Sequence, residues 1–232
     1  MSKTLFDPAP SPTVPVAGTQ DSINVHRVFC VGRNYEAHAK EMGQAVDREK
    51  PFYFTKSRDA IVLSGGTIPY PCGTENYHYE MELVVVIGAP AFRVSVQDAM
   101  SKVFGYACGL DMTRRDIQLA ERAKQLPWDL GKDVENSAVI SAIVPAAQFG
   151  APAKQRIEMR QNGVTKQDGD LSLLIWSVPE IISHLSGFYH LRPGDLIYTG
   201  TPAGVGPVQP GDVLEGSIAG AGDLKITIGA RE

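Results

Sequence analysis

The sequence predicts a single α+β domain dominated by β-strands, with a few peripheral helices. Three observations lead there. Short runs rich in valine, isoleucine, tyrosine and phenylalanine recur along the 232 residues, separated by glycine, proline and Asn-Gly punctuation. Helical periodicity is confined to a few short segments, too few to alternate with the strands as βαβ units. No internal repeat or shift of composition marks a second domain.

In chain order, Pro8, Pro10, Pro12 and Pro15 make residues 1–20 an extended arm closing in a short edge strand at "TVPVAG", which leaves 21–232 as the folded domain. "RVFCVG" (27–32) is a strand, and "NYEAHAKEMG" a short helix ended by Gly43. "PFYFTK" is a strand, and "IVLSGGTIPYP" a punctuated loop with strand character. "HYEMELVVVIG" (78–88) reads as one continuous strand, apolar on both faces and therefore covered on both. "SVQDAMSKVFG" is a helix capped by Ser95 and stopped by Gly105. "YACGLDMT" is a strand ending at Asp111, and "RRDIQLAERAKQ" a helix. "RIEMRQNGVTKQDGD" is a hairpin turning at Asn162-Gly163. "VPEIISHLSGF" is an amphipathic helix, and the remainder from Gly194 is β-rich.

Apolar residues make up 43% and charged residues 21%, ordinary for a globular protein, and the net charge of −4 excludes a basic footprint for nucleic acid. No apolar stretch is long enough to span a bilayer, and the proline-broken N-terminus lacks the apolar core of a secretory signal. Cys30, Cys72 and Cys108 form no C-x-x-C pair, and Cys30 and Cys108 sit in strand-like runs as small hydrophobes. A reducing, cytoplasmic setting is expected.

Glu80 and Glu82 share one face of the 78–88 strand. Two carboxylates within ~4 Å at an effective dielectric near 20 repel by ~4 kcal/mol, so either one is protonated or something positive lies between them. Asp111, ending a second strand, completes a set of three oxygen donors without cysteine or clustered histidine. That set suits a hard ion, Mg²⁺ or Mn²⁺. Pairing of the glutamates with arginines at a strand end is the alternative.

His38 and Glu41, three apart on a helix, share a face as a carboxylate-oriented general base would, or as a solvated helix face would. Arg114, Arg115 and Gln118 follow Asp111 directly, and "PWDLGK" delivers Lys132. Cations there would meet an anionic substrate, though one of the two arginines is expected to serve solubility alone. "YTGTPAGVGP" (198–207) lacks the Gly-Lys-Ser/Thr ending of a phosphate loop, but its amides and Thr201 suit a carboxylate.

Taken together and in order, "FCVGRNYEAHAKEM", "HYEMELVVVIG", "YACGLDMTRRDIQ", "LPWDLGK" and "LIYTGTPAGVGP" resemble the fumarylacetoacetate hydrolase family, in particular its small acylpyruvate- and fumarylpyruvate-cleaving branch. The resemblance implies a mixed β-roll, a homodimer, and a single catalytic domain holding Mg²⁺ or Mn²⁺ on Glu80, Glu82 and Asp111. It implies a water-activating His38–Glu41 dyad on a lid. Lys132, Arg115, Gln118 and Thr201 match substrate-contacting positions, with Lys132 stabilising an oxyanion. One departure is "FTKS", where relatives read phenylalanine–x–lysine–proline, and Ser57 should loosen that loop. The implied reaction is metal-dependent hydrolysis of a carbon–carbon bond in a β-diketo acid, fumarylpyruvate giving fumarate and pyruvate in aromatic catabolism. Oxaloacetate decarboxylation, acylpyruvate hydrolysis, or isomerisation or decarboxylation of a dienoate diacid are alternatives on the same site. A non-enzymatic β-rich binding module is the rival of another class. Arg33, Lys56, Arg58 and Arg114 are the candidates to meet a second substrate carboxylate.

Overall fold

The valine-rich segment ends up as the middle of the molecule because both of its faces are apolar: all seven residues of Met81–Ile87 are buried. The computed structural model describes residues 5–6, 10–43 and 48–232, so Pro8 lies outside the described residues. Along the chain run β1 (Thr13–Pro15), β2 (Ser22–Asn24), β3 (Arg27–Gly32), α1 (Glu36–Glu41) and β4 (Phe52–Lys56). Next come β5 (Ile61–Leu63), β6 (Thr67–Tyr70), β7 (Tyr77–Tyr79), β8 (Met81–Ile87), α2 (Val96–Ala99) and β9 (Val103–Asp111). β10 (Thr113–Arg114), α3 (Arg115–Ala123), α4 (Asp129–Lys132), β11 (Ala138–Ile140), β12 (Val144–Pro145) and α5 (Ala146–Phe149) follow. The C-terminal part holds β13 (Arg156–Gln161), β14 (Val164–Asp170), α6 (Val178–Ser186), β15 (Asp195–Tyr198), β16 (Gly206–Pro207), β17 (Val213–Ile218) and β18 (Gly222–Arg231).

A mixed eight-stranded sheet runs β4-β3-β15-β8-β9-β11-β5, with β12 also on β9. A five-stranded sheet runs β14-β13-β17-β18-β6, and β10-β7-β16 form a small third one. Between the two large sheets lies the main core, where Met81, Leu83, Val85 and Ile87 meet Ile157, Met159, Leu214 and Ile226. The opposite face of β8 presents Val84 and Val86 to a second cluster with Cys30, Leu196, Tyr198 and, from the N-terminal segment, Val14. This period-two division is the expected one.

Two local expectations are corrected. The 78–88 strand is not continuous: it breaks at Glu80, with β7 in the small sheet and β8 in the large one. Its partner breaks alongside, at Met112 between β9 and β10, so a paired ribbon bends as it passes from one sheet to the other. The bend frees amides that other groups take up: Met81 N donates to Gln167 Oε1 (3.0 Å) and Met112 N to Ser137 O (2.9 Å). Nor does Gly105 stop a helix. It lies inside β9, where a Cβ would meet Val144 O at 2.4 Å, so the close passage of β12 requires glycine. The helix ends after Ala99 in a single 3₁₀ turn, capped as expected by Ser95 Oγ accepting from Asp98 N. Asn162 and Gly163 both take positive φ (52° and 79°), as the tight hairpin turn demands.

Ser57 is hydrogen-bonded within its loop. Its N–H donates to Asp133 Oδ1 at 2.6 Å and its hydroxyl accepts from Asp59 N at 3.1 Å.

Candidate active site

The bend in the β7–β8 and β9–β10 ribbon gathers the carboxylates. Asp111 N donates to Glu80 O (2.9 Å), making them cross-strand neighbours, and Glu82 stands opposite Gly109. A Cβ on Gly109 would lie 2.6 Å from the Tyr198 ring, so no side chain fits opposite Glu82. Glu80, Glu82 and Asp111 are all buried, and one oxygen from each lies within 4.8 Å of the others.

Three buried cations face them. Lys132 Nζ donates to Glu80 Oε2 (2.9 Å), Asp111 Oδ2 (2.6 Å) and Thr113 Oγ1 (2.7 Å), which uses all three of its hydrogens. Arg115 donates to Glu80 Oε1 and to Gln118 Oε1 (2.5 Å). Lys56 Nζ lies 2.9 Å from Asp111 Oδ1 but directs its hydrogens at Met112 O, Lys132 O and Ser137 Oγ, leaving Oδ1 buried without a hydrogen-bond partner. Gly131 brings Lys132 into place, since a Cβ there would meet the Gln118 backbone at 2.9 Å.

The electrostatics are uneven. Burial alone would raise the Glu80 carboxyl, but Lys132 and Arg115 outweigh it and hold the group well below the usual carboxylate range. Burial, then Asp111 and Glu80, push Glu82 well up instead, and the Gly200 N–H at 2.8 Å is a weak counterweight. Pairing with arginine therefore holds for Glu80 and fails for Glu82. An all-oxygen set with an uncompensated Glu82 and an unpartnered Asp111 Oδ1 fits a hard divalent ion such as Mg²⁺ or Mn²⁺.

Across from the carboxylates, His38 Nδ1 lies 3.1 Å from Glu41 Oε2 on α1. A carboxylate accepts from Nδ1–H, and the tautomer with the proton on Nδ1 keeps a lone pair on Nε2. Glu41 is anchored in turn by Gly204 N, 3.1 Å from Oε1. Gly204 has φ +98°, and a Cβ there would sit 2.0 Å from Lys166 O. Gly204→Ala should therefore displace this turn, cost about 1–3 kcal/mol in a thermal melt and lower kcat by loosening the dyad. A wild-type melt and wild-type kcat would count against it.

A narrow cavity of about 30 Å³ is lined by His38, Glu80, Glu82, Lys132 and Thr201 together with Arg115 and Gln118. It admits water and nothing larger. It shares Arg33, Phe54, Arg122, Trp128 and Lys132 with an adjoining groove of about 510 Å³. Thr201 Oγ1 accepts from Gln167 Nε2 at 2.8 Å, which frees its own O–H to donate into the cavity.

Of the cations expected to meet a second carboxylate, Lys56 is committed to the carboxylate cluster, and Arg58 lies outside, on Ser11 Oγ. Arg114 turns away to Leu130 O at 3.2 Å, so it is the arginine with no part in the cavity. The sequence reading missed Gln167, which alone in its hairpin strand is buried and ties together Met81 N, Thr201 and Pro202 O. It also missed Asn34, whose amide joins the Trp176 backbone to Thr199 O (2.8 Å), and Arg122 at the neck. No local pattern marks Gln167 or Asn34, whose partners lie far along the chain; Arg122 continues the Arg115–Gln118 stripe of α3, which the sequence reading did not extend.

The fumarylacetoacetate (FAA) hydrolase C-terminal domain family matches residues 27–229, nearly the whole folded chain. The chain belongs to the fumarylacetoacetate hydrolase family. Among family relatives, a fumarylpyruvate hydrolase of Ralstonia sp is 53% identical over 82% of this chain and all of that one. The Homo sapiens oxaloacetate tautomerase FAHD1, mitochondrial, is 44% identical over 83% of this chain and 87% of its own. Among solved family structures, fumarylpyruvate hydrolase from Pseudomonas aeruginosa in complex with Mn²⁺ and pyruvate superposes with a TM-score of 0.96 at 44% identity, covering 99% of this chain and 100% of that one. The β-roll expected from the sequence is thus the fold of this family member.

Proposed function

We propose that this family member hydrolyses the carbon–carbon bond of a 2,4-dioxo acid, with fumarylpyruvate as the substrate and fumarate and pyruvate as products. The observation that carries the reading is the His38–Glu41 pair at a small cavity lined by His38, Glu80 and Glu82, with Asp111 completing the buried carboxylate group. A fumarylpyruvate hydrolase relative and a solved relative holding Mn²⁺ and pyruvate support it. Glu80, Glu82 and Asp111 would hold Mg²⁺ or Mn²⁺, which supplies Lewis acidity toward a 2-oxo carboxylate.

The chain's own groups do the rest. Three carboxylates against Lys56, Arg115 and Lys132 leave the cluster neutral, so a divalent ion makes it +2, the charge a dianionic acid requires. Gln118 and the Thr201 hydroxyl bind the pyruvyl carboxylate, and Arg115 keeps Gln118 and Glu80 in register. His38 Nε2 takes a proton from a water that attacks the C4 ketone, and Glu41 stabilises the imidazolium. Lys132 meets the oxyanion at C4 by giving up one of its three acceptors. The C3–C4 bond then breaks, C4 leaves in fumarate, and His38 returns the proton to C3 of pyruvate. A seven-carbon acid exceeds the cavity of about 30 Å³ and would extend into the adjoining groove.

Oxaloacetate offers the same 2-oxo carboxylate but carries a carboxylate at C4, where hydrolysis needs a ketone for water to attack. His38 is also placed to move a C3 proton, which is what tautomerisation requires, and relatives carry that activity in their names. Side-by-side kinetics with Mg²⁺ decide between them. Fumarylpyruvate should exceed acetylpyruvate and oxaloacetate by at least ~10-fold in kcat/KM, or about 1.4 kcal/mol. A match by either competitor would assign the site to another acid.

The catalytic unit is residues 21–232, acting in the cytoplasm as a homodimer. Free Cys30, Cys72 and Cys108 suit a reducing compartment, and exposed Leu126, Leu130 and Phe188 offer apolar surface to a second copy.

A further inference from the structure

Arg115, Gln118 and Arg122 sit at i, i+3 and i+7 of α3 and so form one stripe of the helix. The first two are buried beside Glu80. At 1.5 Å per residue, Arg122 lies about 10 Å farther along the axis than Arg115 and about 6 Å farther than Gln118. That places it at the neck, lining both the small cavity and the larger groove. Arg122 Nη2 donates to Met42 O at 3.3 Å, at the end of the lid helix α1, and among the described residues no carboxylate pairs with it. A guanidinium carries five N–H donors, and the bond to Met42 O uses one of them. The neighbouring cation, Arg33, lies over the rings of Phe52 (5.5 Å) and Trp128 (5.6 Å).

We propose that Arg122 receives the distal carboxylate of the substrate and thereby selects dianionic acyl tails over neutral ones. The proposal rests on the 2,4-dioxo acid reading of the site. Six bonds of about 1.5 Å, zigzagging, separate the two carboxyl carbons of fumarylpyruvate by about 8 Å. An acid held at its pyruvyl end by Gln118 and Thr201 therefore brings its far end within reach of the Arg122 side chain. Bidentate pairing with a planar carboxylate is what a guanidinium does best. Because the same guanidinium holds Met42 O, a bound dianion also fastens the end of the lid, which a neutral tail cannot do.

The experiment measures kcat/KM for fumarylpyruvate and acetylpyruvate in the Mg²⁺-loaded protein and in Arg122→Gln, Arg122→Lys and Arg58→Gln, with fumarate tested as a competitive inhibitor. In Arg122→Gln the fumarylpyruvate-to-acetylpyruvate ratio should fall at least tenfold, and fumarate should inhibit at least tenfold more weakly. Arg122→Lys should lose less, since it keeps the charge and forfeits the fork, and Arg58→Gln should keep the wild-type ratio. A wild-type ratio and wild-type fumarate inhibition in Arg122→Gln, with fumarylpyruvate still hydrolysed, would overturn this proposal alone. Failure of the unaltered protein to hydrolyse either acid would overturn the 2,4-dioxo acid reading, and this proposal with it.

Discussion

Glu82→Ala should abolish turnover, and neither excess Mg²⁺ nor excess Mn²⁺ should restore it. Glu82 is the one carboxylate of the three without a cation beside it. Lys132 and Arg115 neutralise Glu80, and Lys132 and Lys56 flank Asp111, whereas Glu82 has no ion pair among the described residues and accepts from the Gly200 amide, with Lys132 acting only at longer range. Removing it deletes the charge that most needs a divalent ion. Chelation should abolish activity in the same way, with either ion restoring it, and full turnover by a metal-stripped sample would sink the metal hypothesis. The pH dependence has a definite sign. Burial, Asp111 and Glu80 raise Glu82 above its unfolded value in the metal-free protein, so the folded state binds the extra proton. Below the ordinary glutamate range both states are protonated and Glu82 contributes nothing. Above it the unfolded chain has lost a proton that the folded one keeps, so metal-free stability falls with rising pH until the folded group also ionises. Glu80, held low despite its burial by Lys132 and Arg115, has the opposite sign: it stabilises above the unfolded value and loses that stabilisation as pH falls through its folded value. An ion displaces the Glu82 proton, so affinity should climb by up to about tenfold per pH unit while that proton is held. Melts with and without Mn²⁺ from pH 5 to 8 should show a widening gap, and Glu82→Gln should show none. A constant gap in the unaltered protein would refute the argument.

His38→Ala should lower kcat by about 10²–10⁴-fold, the usual worth of general-base assistance, while the gain in melting temperature on adding Mn²⁺ stays near normal. The split matters. The side-chain hydrogen bond of His38 goes to Glu41, which is in turn fixed by Gly204, and not to Glu80, Glu82 or Asp111. A loss of both activity and the metal-induced stabilisation would mean that His38 supports the site's structure instead of its chemistry. Glu41→Gln should cost less than His38→Ala, since the amide can still accept from Nδ1 but no longer stabilises the imidazolium. Wild-type turnover by His38→Ala would assign water activation elsewhere.

Much of this molecule was legible in its sequence because the signals were local. The Asn162-Gly163 turn, the Ser95 cap and the two apolar faces of β8 follow from backbone geometry and side-chain period alone. His38–Glu41 and Arg115–Gln118 were readable for the same reason, since i and i+3 meet on any helix. Where local signals misled, a distant strand had intervened. Gly105 looked like a helix stop, but the approach of Val144 makes it a strand residue. The 78–88 run looked straight, but it bends at Glu80 as its pairing passes between sheets.

By itself the sequence determined which residue types the proposed chemistry draws on: three carboxylates at strand positions, a histidine with its glutamate, and cations following Asp111. Only the tertiary structure decided how they share charge. It set Lys132 against two carboxylates at once, turned Arg114 outward, drew Lys56 inward beside Asp111, and left Glu82 uncompensated. It also brought Arg122 to the neck and Gln167 behind Thr201, 34 residues away in the chain. The physical reason is range. Hydrogen-bonded periodicity acts within a few residues, whereas the energy of a buried charge depends on every group the fold packs around it, whatever their separation in sequence.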